Sequence, residues 1–193
     1  MLVGVTESRE KKTTRYRERD EAERQEFQRT LAQFTDDQLL WVDECGIGYE
    51  LYRLYGRCAR GQRVYEDISG KRLPNRLSVI AAYSHHRLYA PFRIEGYTNT
   101  LVFNLWLEQC LLPELKSGQV VIMDNARFHQ SNKTRELIES ANCQLIFQPA
   151  YSPDLNKIEP QWANLKQGIR TNTDTQLSLL EKLDLQLIQM SEP

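Results

Sequence analysis

The sequence predicts an α/β domain built on one mixed sheet, and three observations carry that prediction. Residues 77–83 and 88–94 read as strands joined by a short loop, after weaker strand patterns at 51–55 and 63–68, which implies an antiparallel half-sheet. From residue 100 onward helical and apolar segments alternate, which implies a parallel extension of that sheet. Two apolar runs, Leu39-Leu40-Trp41-Val42 and Val120-Val121-Ile122-Met123, pass straight into an aspartate, as buried strands ending at a sheet edge would.

The elements follow in order. Residues 7–34 mix charges of both signs, with Phe27, Leu31 and Phe34 at the spacing of an amphipathic helix that lays one stripe on a core. The basic stretch at 11–17 reads either as an extended arm or as a solvated helix face. Residues 100–115 form the next helix, with Leu101, Leu105, Leu112 and Leu115 along one side. A helix at 133–140 and a third buried strand, Gln144-Leu145-Ile146-Phe147, come after it. Ser152-Pro153-Asp154 marks a turn before a helix over 156–170, and a leucine-rich helix at 177–188 is expected to pack on the domain. The chain thus divides into an N-terminal arm and helix (1–36), a central domain (37–172) and a C-terminal helix (173–193).

Composition sets the outer bounds. With 193 residues, 40% hydrophobic and 26% charged, the chain suits one soluble globular domain. No apolar run approaches the ~18 residues of a membrane span, and no apolar signal core opens the chain, so a cytoplasmic protein without a membrane partner is expected. Cys45, Cys58, Cys110 and Cys143 are scattered without a C-x-x-C pair, which points to reduced, mostly buried thiols. The net charge of −1 gives no simple electrostatic case for nucleic acid, although two bound divalent cations would make it positive.

The candidate chemistry lies in three carboxylates. If the two apolar runs are neighbouring parallel strands, about 4.8 Å apart, Asp43 and Asp124 project at the same edge. Like charges that close favour a cation between them, and all-oxygen donors favour magnesium or manganese over zinc. Aspartate after a strand is also a common turn former, so each residue alone leaves a bland explanation open. Glu159 is equally two-sided, because Asn156-Lys157-Ile158-Glu159 has capping-box spacing. If a metal ligand instead, it shares one helix face with Ala163 and Lys166.

The surrounding motifs add a family resemblance. Val42-Asp43-Glu44-Cys45-Gly46-Ile47 resembles the first motif of the bacterial insertion-sequence branch of the Tc/mariner transposases. Val121-Ile122-Met123-Asp124-Asn125-Ala126-Arg127-Phe128-His129 is similar to the second motif, and Pro149-Ala150-Tyr151-Ser152-Pro153-Asp154-Leu155-Asn156-Lys157-Ile158-Glu159 to the third. Trp162 and Lys166 stand in their usual places, and the likeness runs from about residue 11 to 170.

What the resemblance implies is a ribonuclease-H-like fold, a mixed five-stranded sheet with helices on both faces. It implies that Asp43, Asp124 and Glu159 are the catalytic and metal-binding triad, holding two divalent ions, Mg2+ or Mn2+, with Asn125, His129 and Asn156 supporting them. The implied reaction is metal-dependent DNA cleavage and 3′-hydroxyl strand transfer. The implied partners are double-stranded DNA (transposon ends and a target, usually TA) and either a second copy or a separate helix-turn-helix-bearing chain. Such an enzyme is expected at the bacterial nucleoid. Because the family's helix-turn-helix modules do not precede the motifs, a truncated copy or one frame of a split gene is expected. The competing functions are a non-catalytic DNA-binding or inhibitory remnant and a cellular nuclease on the same fold. Two residues depart from the family pattern, Lys157 and Ala150, each where proline is usual. Lysine removes proline's rigidity and places a positive charge at the positive end of a helix dipole.

Secondary candidates are the basic stretch Arg53, Arg57, Arg60, Arg63, Lys71, Arg72 and Arg76, together with Lys166, as phosphate contacts. An exposed, merely soluble hairpin explains the same stretch. His85-His86 is expected in an exposed loop, and Trp41, Trp106 and Trp162 in the core.

Overall fold

Alternate side chains of the first strand part to opposite sides of the sheet, and each side is closed by helices. The computed structural model describes residues 16–48, 51, 58–63, 65, 77–174 and 176–192. Strand β1 (Leu39–Ile47) runs antiparallel to β2 (Leu77–Ser84), which pairs antiparallel with β3 (Arg87–Glu95). On its other side β1 pairs in parallel with β4 (Val120–Met123), and β4 with β5 (Gln144–Phe147). The order is β3-β2-β1-β4-β5, the mixed five-stranded sheet that the family resemblance implies.

Leu39, Trp41, Val120 and Ile122 face one layer, formed by helices α1 (Glu21–Leu31), α4 (Glu159–Thr171) and α5 (Leu179–Ser191) through Phe27, Trp162, Leu165, Ile169, Leu183 and Leu187. Leu40, Val42, Val121 and Met123 face the other, formed by α2 (Thr100–Trp106) and α3 (Asn132–Ser140). This two-residue period makes both faces of the central strands apolar. Polar caps start the helices: the side chains of Asp20, Asn99, Ser131 and Ser178 each accept from backbone amides of the following first turn. Between β2 and β3 the exposed pair His85 and His86 takes φ of 48° and 64°, the backbone of a tight two-residue hairpin.

Several expectations need correction. Strand β1 does not stop at Asp43 but continues to Ile47, because β2 still pairs with it where β4 has ended. Helix α2 turns Phe103 and Trp106 inward and leaves Leu101 68% and Leu105 43% exposed, the reverse of the expected leucine stripe. The aromatic rings bury more surface, and the Trp106 indole N–H donates to the Ala90 carbonyl at 2.8 Å. A π-helical turn at Leu107–Leu111 then shifts the phase so that Leu107 and Leu111 follow the aromatics into the core. Strand β5 lies at the sheet edge with Gln144 exposed and the next three residues half-buried, so it is not a fully buried strand. Cys58 is exposed and Cys110 half-buried, while Cys45 and Cys143 are buried; all four thiols are free. Of the weaker strand patterns, Leu51, Arg63 and Tyr65 are not in strands, and most of 51–55 and 63–68 lies outside the described residues.

The C-terminal helix packs against α4 and β3, and an Arg93–Asp184 ion pair at 3.0 Å ties it to the sheet. No helix among the described residues is long and apolar enough to cross a membrane. The inversion of the α2 faces is directly measurable. Phe103→Ala should cost about 3–5 kcal/mol in urea denaturation, and Leu101→Lys less than about 0.5 kcal/mol.

Candidate active site

The chain reverses its direction of growth at β1, adding β2 and β3 on one side and β4 and β5 on the other. Open α/β sheets bind ligands at such a switch, beyond the carboxyl ends of the strands. Trp41 pairs with Ile122, so two residues further on Asp43 and Asp124 stand side by side. Both line a cavity of about 470 Å³, together with Glu159 from the first turn of α4 and with Tyr16, Asn125, Gln148, Tyr151 and Asn156.

Each aspartate has its own set of supports. The Asp43 Oδ1 accepts the Glu44 amide at 2.7 Å, and its Oδ2 accepts the Asn156 side-chain amide at 2.9 Å and the Trp162 indole at 3.3 Å. Burial pushes the Asp43 carboxyl up to about 7; the Glu44 amide opposes this, and the nearby Glu159 and Asp124 charges add to it. Asp124 Oδ1 accepts the Ala126 amide at 2.9 Å and the His129 ring at 2.7 Å. Burial also acts upward on Asp124, yet the His129 hydrogen bond and the Ala126 amide outweigh it and hold the carboxyl below its ordinary value. An ionised carboxylate only accepts, so His129 Nδ1 carries the proton. The imidazole is 1% exposed, packed against Phe103 and Phe128, with no partner for Nε2. It is a fixed support for Asp124.

Glu159 is exposed at the start of α4, and no side-chain capping bond forms there. Asn156 closes no capping box with it: its Nδ2 donates to Asp43, its Oδ1 accepts the Ile158 amide at 3.4 Å, and its own amide donates to the Pro153 carbonyl. The helix begins at Glu159 rather than at Asn156, and Pro160 supplies proline in its first turn. Lys157 therefore lies outside the helix, where its ammonium meets Asp36 at 2.9 Å and holds that carboxyl below its usual range. Among the described residues, no three His, Cys, Asp or Glu side chains are gathered closely enough to enclose one ion. Asp43 and Asp124 face the cavity together, and Glu159 stands at its rim. The donor chemistry nonetheless fits hard divalent cations, since the three carboxyls lining the cavity offer only oxygen and burial disfavours the charge on Asp43.

The other candidates fall in different places. Asn156 supports Asp43 and His129 supports Asp124, whereas the Asn125 side chain donates to the Gln148 carbonyl at 2.7 Å and so braces the cavity wall. Lys166 shares a shallow groove with Glu159, Trp162 and Arg170, and it also interacts with the Cys45 thiol. Arg60 and Arg63 are exposed, while Arg53, Arg57, Lys71, Arg72 and Arg76 lie outside the described residues. Trp162 does more than fill the core, a role that its position three residues after Glu159 on the helix makes recognisable in retrospect. Tyr16 and Tyr151, with ring centroids 5.8 Å apart at the cavity wall, gave no comparable sequence signal.

Known proteins share both pattern and fold. The family model described as DDE superfamily endonuclease matches residues 38–179. The Tc3 transposase of Caenorhabditis elegans is 36% identical over an alignment covering 35% of this chain and 27% of that protein. The catalytic domain of Mos1 mariner transposase superposes with a TM-score of 0.61 at 16% identity, covering 91% of this chain and 84% of that one. A Mos1 paired-end complex with its left transposon end gives a TM-score of 0.68 at 15% identity, covering 95% of this chain and 60% of that one. The chain thus spans about a quarter of the curated relative it matches. These likenesses establish the ribonuclease-H-like fold of transposase catalytic domains, and the matched family model shows that the chain belongs to the DDE superfamily of endonucleases.

Proposed function

We propose that this domain performs metal-dependent DNA strand cleavage and 3′-hydroxyl strand transfer, as the catalytic part of a transposase of the bacterial insertion-sequence branch of Tc/mariner. The observation that carries this reading is the placement of Asp43 and Asp124, each two residues beyond the paired Trp41 and Ile122 of neighbouring parallel strands, in a cavity that Glu159 also lines. Mos1 structures include paired-end complexes with Mn and with Mg, which supports the same cations here. Bound divalent ions would supply charge neutralisation and an activated oxygen nucleophile for in-line displacement at phosphorus.

The chain's own residues divide the remaining work. Asp43, Asp124 and Glu159 would hold the cations. Asn156 and Trp162 fix the Asp43 carboxylate, and His129 fixes that of Asp124, so little reorganisation is needed on binding. Lys166, beside Glu159 in the α4 groove, would meet a DNA phosphate, and exposed Arg60 and Arg63 would add salt-sensitive contacts. The DNA partners would be transposon ends and a TA target. A second copy, or a chain carrying a helix-turn-helix, would complete end recognition. A second reading, a non-catalytic DNA-binding or inhibitory fragment, draws on the exposed, rim position of Glu159.

Nicking of duplex DNA in Mn2+ separates the two readings. Asp124→Asn should lower the rate by at least about a hundredfold, and His129→Phe by about 10–100-fold. Nicking that survives Asp124→Asn, or a wild-type chain that binds DNA without cutting it, would favour the second reading. Asp43 also makes stability depend on pH. The folded state holds its proton up to about 7, so in the metal-free protein stability falls as pH rises from about 4 through 7. Relative to wild type, metal-free Asp43→Asn should therefore gain up to about 4 kcal/mol of stability between pH 4 and pH 8, as read from denaturation curves at the two pH values. Mn2+ should raise the melting temperature of the wild type at pH 8 and not that of Asp43→Asn.

A further inference from the structure

Strand β5 ends as β4 does. Met123 pairs with Phe147, so the next residues, Asp124 and Gln148, are neighbours across the two strands. Ile122 and Ile146 face the same helical layer as Trp41, which places Asp43, Asp124 and Gln148 on one face of the sheet, in one row across β1, β4 and β5. Gln148 is held from both sides, its amide donating to the Met123 carbonyl at 2.8 Å and its own carbonyl accepting from Asn125 at 2.7 Å. The residue is 4% exposed and lines the cavity, and its side-chain Nε2 has no hydrogen-bond partner.

A buried donor left unpaired is costly, so it calls for a partner. The other buried polar side chains of the cavity are already committed: Asn156 to Asp43 and Ser152 to the Ala150 carbonyl. We propose that Gln148 contacts the substrate, its side-chain amide donating to a non-bridging oxygen of the phosphodiester that lies against Asp43 and Asp124. This inference rests on the phosphoryl-transfer function proposed above. A neutral amide suits that position. An arginine there would pair with Asp124 and compete with cations, and a carboxylate would repel the phosphate. The amide orients the phosphate and leaves both aspartates free.

The test uses the full chain and a duplex oligonucleotide whose nicking position has been mapped with the wild type in Mn2+. The same duplex is then made with a single phosphorothioate at that position, as separate Rp and Sp diastereomers. Wild type should cut one diastereomer about tenfold more slowly than the other, because sulfur accepts the amide hydrogen bond poorly. Gln148→Leu should cut the unmodified duplex about 10–100-fold more slowly, the loss expected for a hydrogen bond to a charged group, and should shift the ratio of the two diastereomers' rates about tenfold from the wild-type value. Gln148→Met keeps the side chain's length and should give the same result if Gln148→Leu melts early. A thio preference equal to the wild type's in both variants, or an unchanged rate on unmodified DNA, would show that the amide holds water or packs the wall and would overturn the contact. A wild type that does not cut unmodified DNA at all would remove the proposed function, and the contact with it.

Discussion

The parallel pairing of β1 with β4 brings two carboxylates into adjacent positions, and the unequal burial and hydrogen bonding of the two set the electrostatics of the site. Backbone register leaves neither residue free to move away, since Trp41 and Ile122 fix the strands two residues earlier. The sheet must therefore supply compensation from side chains or from cations. It does so unequally. Asp124 receives a buried imidazole and a backbone amide and stays ionised, whereas Asp43 is more deeply enclosed and its carboxyl is pushed up to about 7. Two aspartates that follow similar apolar runs thus have opposite electrostatic characters, and the difference comes from what packs above them. A pair in which one member holds its charge and the other would be relieved by a cation suits the cation binding proposed for this site.

The helical layers hold this arrangement in place. Helix α4 brings Trp162 over Asp43 while Leu165 and Ile169 anchor it in the core, so packing and hydrogen bonding act through one rigid element. Helix α1 ties down the loop before α4, where buried Arg24 grips Asp154 through two bonds of 3.0 and 2.7 Å. That pair holds the Asp154 carboxyl below its usual range. Tyr151 in the same loop sits at a φ of 54°, a left-handed conformation that a bulky residue adopts only when its surroundings hold it. Phe103 of α2 and Phe128 of the segment between β4 and α3 hold His129 between their rings. The catalytic candidates therefore sit on strands and helix ends, and the loop that completes the wall is itself restrained.

Gln148 adds a neutral member to the row of aspartates. The middle of β1 and the ends of β4 and β5 present two carboxylates and one amide to the same cavity, acceptors for cations beside a donor for an anion. A phosphodiester bridged by cations needs both kinds of contact at once.

Apart from the strand patterns at 51–55 and 63–68, the chain order of strands and helices was legible in the sequence, because apolar runs, turn residues and the change from two-residue to helical periodicity are local properties. The pairing of Asp43 with Asp124 was legible too, since both follow runs of the same length and character. Three things were not. Leu101 and Leu105 have the same spacing as the residues that bury, and only the competing bulk of Phe103 and Trp106 against the sheet decided which face turned inward. The end of β1 depends on a partner strand far along the chain. Glu159 met two plausible fates, cap or ligand, and Asn156 was drawn to Asp43 only once the sheet and α4 had come together. Local chemistry determined which residues were available, while the tertiary structure decided which of them face one another, because burial and hydrogen-bond partners exist only after distant segments have packed.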